Sequence, residues 1–79
     1  MNDLVWTRKR LGAFLEAACL SEEEKEVLMD WYHKHSPTWT AEKRSMSKSK
    51  VERLRTKIRL QYDIVQLEYP DLFPPRTRS

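Results

Sequence analysis

Apolar residues recur at helical intervals after Ser47, and this pattern constrains the fold more than any other feature of the chain. The intervals are three, four, four and three residues, through Val51, Leu54, Ile58, Tyr62 and Val65. Such spacing places the side chains along one face of a helix, and Ser47 is a good N-cap for it. The pattern therefore predicts an amphipathic helix of about 20 residues, roughly 30 Å long.

Three further helices are predicted upstream of this one. Leu4, Leu11, Leu15 and Ala18 recur at helical spacing, which predicts a helix from about Asp3 to Ala18. Ser21 and Glu24 form a capping-box pattern, and the helix after it should run from residue 22 to about 35. It should end at Ser36–Pro37, because the residue before a proline avoids the α region. A short helix is then predicted within residues 38–45.

The sequence predicts an all-α fold, a small bundle of about four helices containing a helix-turn-helix. One domain would span residues 1–79, with an N-terminal helix in 1–19, the helix-turn-helix in 20–66 and an extended tail in 67–79. A single glycine argues against a turn-rich β protein and against a glycine-rich phosphate loop. A single cysteine excludes an internal disulfide and favours a reducing compartment.

Positive charge is concentrated in one segment of the chain. Residues 41–62 contain eight basic and two acidic side chains, although the net charge of the whole protein is only +3. Few acidic residues are available there for i,i+4 ion pairs. A short break before a strongly basic helix is the outline of a helix-turn-helix, and the charge favours a nucleic-acid partner.

At this point the sequence resembles region 4 of bacterial sigma factors and the small phage regulators that share that domain. The resemblance is carried by the run from Leu20 to Leu28, by Tyr32 before the turn and by the small Ala41. It continues through Met46–Ser47 and the inward positions Val51 and Leu54. It covers about residues 20–62 and implies a helix-turn-helix that reads a promoter element. The chain departs from the family pattern at Thr40 and Arg44, where aliphatic residues are usual, and at Ser45, where glycine is usual.

The expected DNA-binding surface lies on the basic helix and the helix before it. Arg53 is the candidate for a bidentate contact to guanine, and Glu52 for a contact to a cytosine amino group. Lys48 and Lys50 lie near the helix N-terminus, which attracts phosphate. Arg55 and Arg59 are expected to contact the DNA backbone or solvent. The complete set of expected DNA-binding residues is Thr38, Lys43, Lys48, Ser49, Lys50, Glu52, Arg53, Thr56 and Lys57.

These features favour a sequence-specific, DNA-binding transcriptional regulator of bacterial or phage origin, located in the cytoplasm. Double-stranded DNA is the expected partner. RNA polymerase or a second copy of the chain is a further expected partner, and would bind to the first helix. Two alternatives stay open: a protein-interaction module that binds polymerase or a regulator, and a DNA-packaging recognition subunit. No catalytic constellation is legible, so an enzyme, a cofactor, a small-molecule substrate and a membrane partner are not expected.

Several residues receive structural interpretations. His33 and His35 are too few for a zinc site and are expected to interact with a helix C-terminus. Cys19 is expected to be a small semi-buried residue. The tryptophans Trp6, Trp31 and Trp39 are expected to pack in the core. The segment 72–75 would either dock on a partner or fold back onto its own helices, and folding back is favoured because a small core benefits from cover.

Overall fold

The fold is all-α, as the sequence predicts. The computed structural model describes residues 6–74. Four helices follow one another: α1 Arg8–Ala17, α2 Glu22–Tyr32, α3 Pro37–Lys43 and α4 Lys48–Glu68. The helix α4 is the longest, and the other three all pack against it. No helix in residues 6–74 is both long and apolar enough to cross a membrane.

Serine and threonine side chains define where each helix begins. Ser21 accepts a hydrogen bond from the Glu24 backbone N–H while the Glu24 carboxylate accepts from the Ser21 N–H, so the predicted capping box is present. The Ser36 and Ser47 hydroxyls cap α3 and α4 by accepting from the Trp39 and Lys50 backbone N–H groups, at 3.1 Å each. Each cap satisfies a backbone donor that the helix itself leaves without a partner.

The first helix begins later than predicted. Thr7 is its N-cap and accepts from the Arg10 backbone N–H at 3.2 Å, so Trp6 lies before the helix. The expected start at Asp3 lies outside the described residues. Apolar spacing alone did not reveal this boundary, because Trp6 is buried without being helical.

The second helix ends at Tyr32, earlier than the predicted end near His35. Lys34 adopts a left-handed conformation with φ of 67°. The His35 N–H then donates to the Asp30 carbonyl, and the Lys34 N–H to the Trp31 carbonyl. This is the Schellman arrangement, which usually uses glycine at the left-handed position. A lysine there gave no sequence signal for the stop.

The core is dominated by aromatic rings. Trp6, Phe14, Tyr62 and Phe73 are all buried. Neighbouring ring centroids in this cluster lie 5.0–6.4 Å apart, within the range in which aromatic pairs attract one another. The rings come from the residue before α1, from α1, from α4 and from the tail. The cluster therefore joins the two ends of the described chain.

The tail is not the extended arm that the sequence predicts. The helix α4 continues to Glu68, and a turn follows in which the Leu72 and Phe73 N–H groups donate to the Tyr69 carbonyl. Phe73 is completely buried, and the Tyr62 hydroxyl donates to the Pro74 carbonyl. The fold-back interpretation is therefore confirmed through Pro74, and the residues beyond it lie outside the described part.

Candidate nucleic-acid interface

The inner face of α4 holds the helix in place. Val51, Ile58 and Val65 are at most 2% exposed, and Leu54 and Tyr62 are also buried. The predicted stripe is therefore confirmed as the packing face. The side chains on the opposite side are left to solvent, which fixes which cations of the basic segment are accessible.

Eight of the nine predicted DNA-contacting residues are exposed. Lys50 is half-buried, and the others lie on the surface of α3 or of the first three turns of α4. The exposed members are Thr38, Lys43, Lys48, Ser49, Glu52, Arg53, Thr56 and Lys57. We refer to the exposed cations on α4, Lys48, Arg53 and Lys57, as the outer cations.

The outer cations have no ion-pair partner. Among residues 6–74, no carboxylate forms a salt bridge with Lys48, Arg53 or Lys57, and the same holds for Lys43 on α3. They are therefore available to an anionic partner without first breaking an internal contact.

Lys50 is already engaged. Its ammonium nitrogen lies 2.7 Å from a carboxylate oxygen of Glu23, in the first turn of α2. Both side chains are 40–49% exposed, and such surface pairs contribute little to stability because water and salt screen them. A shallow groove runs beside this pair and is also lined by Arg53, Leu54 and Lys57. Glu23 therefore places one negative charge at the edge of the basic surface.

The hydroxyl of Thr56 is also engaged, because it donates to the Glu52 carbonyl at 3.0 Å. This bond lies within one turn of α4 and satisfies the donor locally. The hydroxyl oxygen can still accept a hydrogen bond from another group.

Arg44 holds α2 and α3 together. Its guanidinium donates to both carboxylate oxygens of Asp30, at 2.8 and 3.0 Å. Burial disfavours the Asp30 carboxylate, but the hydrogen bonds and charge of Arg44 outweigh this effect and lower its pKa. The bond to Asp30 likewise raises the pKa of Arg44.

The pair was missed in the sequence, although a signal for it was present. Asp30 lies on the inward side of α2, between the buried Val27 and Trp31. An acidic residue on an apolar face needs a cation. Arg44 is the cation that pairs with Asp30.

Arg55 is a buried residue, which corrects the expectation that it contacts DNA or solvent. It is 8% exposed, donates to the His35 carbonyl at 2.9 Å and lies 4.4 Å from the centroid of the Trp31 ring. Burial lowers the pKa of Arg55, and the charge of Glu52 partly offsets that effect. Arg59 is also placed over the Trp31 ring, at 5.1 Å.

Two other interpretations change. Trp39 is 37% exposed and stacks on the His35 ring at 3.6 Å, so it is not a core residue. Cys19 is exposed rather than semi-buried.

Trp6 and Trp31 are buried as expected. His33 lies against the C-terminal end of α2, with Nδ1 3.2 Å from the Met29 carbonyl oxygen.

A left-handed backbone conformation at Ser45 forms the tight break between α3 and α4. Ser45 has φ of 56°, and the Met46 N–H donates to the Ala41 carbonyl at 2.9 Å. Ser45 thus adopts a conformation for which glycine is the usual residue. The break between the two helices keeps its tight form at the cost of some backbone strain.

No protein-family model, curated protein or solved structure matches this chain. Within residues 6–74, no group of three or more metal-ligating side chains is found.

Proposed function

We propose that this protein is a sequence-specific, DNA-binding transcriptional regulator of the bacterial or phage type. The first three turns of α4 would be its recognition helix. The observation that carries the proposal is the set of outer cations, which are exposed and unpaired within the described residues. Cations of this kind bind DNA because each one that neutralises a phosphate releases condensed counterions.

The shape of the site supports the same function. A helix with its side chains is about 10–12 Å wide, close to the roughly 12 Å width of the DNA major groove. The buried stripe anchors α4 to the other helices, so its outer face can enter a groove without unfolding the core. The order of a capped helix, a short helix and a basic helix also supports the resemblance to sigma region 4.

Different residues would supply affinity and sequence preference. Lys43, Lys48 and Lys57 are point charges suited to phosphates, and Lys50 could join them by exchanging Glu23 for a phosphate. Arg53 has the planar fork that matches the O6 and N7 atoms of guanine. Glu52, exposed beside it, can accept from a cytosine amino group. Phosphate contacts would set the register, and Arg53 and Glu52 would select the sequence.

The first test is anisotropy of labelled duplex DNA across a salt series. With about four phosphates engaged per chain, log affinity should fall against log salt with a slope of about −3 to −4. Lys48→Ala should weaken binding to all sequences and make the slope shallower by about one. Lys9→Ala is the matched control, because it removes an equally exposed lysine from α1 and should leave binding unchanged.

A second test separates base reading from phosphate binding. Sites are selected from a random duplex pool with the wild type, and the preferred site is then titrated with Arg53→Lys and Arg53→Ala. Arg53→Lys keeps the charge and loses the fork, so it should lose preference at one base pair by about 1–3 kcal/mol. No duplex binding at low salt would overturn the proposal and favour an acidic protein as the partner. Equal losses in Lys48→Ala and Lys9→Ala would overturn the assignment of α4 as the DNA-binding surface.

A further inference from the structure

The outer face of α4 changes from basic to apolar along its length. In its C-terminal half, Leu60, Ile64 and Leu67 are 56%, 54% and 80% exposed. Their spacings of four and three residues put them on one side of the helix, opposite the buried face. We refer to these three residues as the apolar outer stripe. Adjacent exposed aliphatic residues of this kind mark interaction sites more often than isolated ones do.

We propose that the apolar outer stripe binds a second copy of this chain. The two α4 helices would pack antiparallel, related by a two-fold axis at Ile64. Leu60 precedes Ile64 by four residues and Leu67 follows it by three, so the stripe is nearly symmetric about its centre. In an antiparallel pair, Ile64 faces its own copy and Leu60 faces Leu67, as a two-fold interface requires.

The charges at the two ends of the stripe select a second copy as the occupant. Arg53 and Lys57 precede the stripe, and Glu68 and Asp71 follow it, all exposed. Antiparallel packing brings the basic end of one stripe beside the acidic end of the other. Parallel packing would bring like charges together, which opposes association. The same chain therefore carries both halves of a complementary surface.

The apolar area is small for an interface. Stable complexes usually bury about 800 Å² on each partner, and three aliphatic side chains can form only the centre of such a contact. We therefore expect a dissociation constant on the order of 10–100 µM for the free protein.

The experiment is sedimentation velocity of the full chain without DNA, at concentrations from about 5 to about 500 µM that bracket the expected constant. The wild type should shift from monomer to dimer, and Leu67→Glu should remain a monomer throughout. Gly12→Glu is the control, since it adds the same charge to an exposed position on α1, where a new side chain meets nothing within 4 Å. It should dimerise like the wild type, and far-UV circular dichroism should show both variants folded.

Cysteine crosslinking tests the orientation, in a Cys19→Ser background. Ile64→Cys should form a disulfide-linked dimer on mild oxidation, because the axis passes beside it. Leu60→Cys alone should not, since two copies would be about 12 Å apart along the axis, beyond disulfide reach. Mixing Leu60→Cys with Leu67→Cys should restore the link.

A wild type that stays monomeric, or a Leu67→Glu variant that dimerises normally, would overturn the proposal. Either result would leave the DNA titrations unaffected, so failure of the dimer and failure of DNA binding are distinguishable. A dimer lost in Gly12→Glu and kept in Leu67→Glu would move the interface to α1.

Discussion

The cations of the basic segment include one set that points inward and one set that points to solvent. Arg44 and Arg55 point inward, where one pairs with Asp30 and the other packs on Trp31. The outer cations Lys48, Arg53 and Lys57 point away from the core. Part of the positive charge thus holds three helices together, and the outer cations are the part that is available to a partner. A local excess of charge therefore overstates the strength of a binding surface.

Among the variants that test this division, Arg44→Ala is expected to lower the free energy of unfolding most. The variant leaves the Asp30 carboxylate, 5% exposed, without its cation. Loss of one partner from a buried pair costs about 3–5 kcal/mol, and we expect about 3 kcal/mol here because Arg44 itself is 29% exposed. Urea unfolding followed by circular dichroism measures this loss. A change below about 0.5 kcal/mol, the level of an ordinary surface site, would place Arg44 with the outer cations.

Two variants at arginines two residues apart, Arg55→Ala and Arg53→Ala, compare an inward cation with an outer cation directly. Arg55→Ala removes a hydrogen bond and the packing on Trp31, and should cost about 2 kcal/mol in the free energy of unfolding. Arg53→Ala should change stability by less than about 0.5 kcal/mol, yet weaken DNA binding. Urea unfolding and DNA titration of both variants measure the two effects. The division fails if Arg53→Ala is the more destabilising of the two.

Low pH should reduce the stability of the protein by protonating Asp30, the carboxylate that pairs with Arg44. Its pKa is lower in the folded protein, so its contribution to stability is complete above the unfolded value near 4 and is lost as pH falls through the folded value. Thermal unfolding of wild type and Asp30→Asn should differ most at neutral pH, and the difference should shrink below about pH 4. A constant difference across this range would mean that the carboxylate is not stabilised by Arg44.

A small effect on stability is also expected from Glu23→Gln, which removes the carboxylate that pairs with Lys50. Removing the partner of Lys50 should change the free energy of unfolding by less than about 1 kcal/mol, since the pair is exposed. DNA affinity should nevertheless rise, because Lys50 no longer has to exchange the Glu23 carboxylate for a phosphate. Glu22→Gln, in the same helical turn and also exposed, is the control, and anisotropy measures both. Unchanged affinity in Glu23→Gln would place Lys50 outside the DNA surface.

The helices could be predicted from the sequence because their signals are local. Serine caps and the spacing from Val51 to Val65 located the starts of α2 and α4, and α3 was expected between them. The end of α2 could not be found in this way, because Lys34 occupies a conformation for which glycine is the usual signal. The start of α1 was missed because Trp6 is buried outside any helix, where periodicity gives no information.

The candidate site was predictable in part for the same physical reason. Positions opposite the apolar stripe of α4 must be exposed, so Arg53 and Lys57 could be assigned correctly. Arg55 could not, because its burial depends on Trp31 and on the carbonyl of His35, which the turn after α2 brings to it. Whether such a side chain is buried depends on contacts between segments that are distant in the sequence, and helical spacing carries no information about those contacts.

The aromatic cluster also gives the protein an optical signature of its tertiary packing. Trp6 lies 5.0 Å from Phe14 and 6.1 Å from Trp31, with the rings held in fixed and unequal orientations. Rings fixed in an asymmetric environment produce near-ultraviolet circular dichroism, which disappears when side-chain packing loosens while helices persist. Near- and far-ultraviolet spectra of one sample would therefore distinguish a variant with a loosened core from one with unfolded helices.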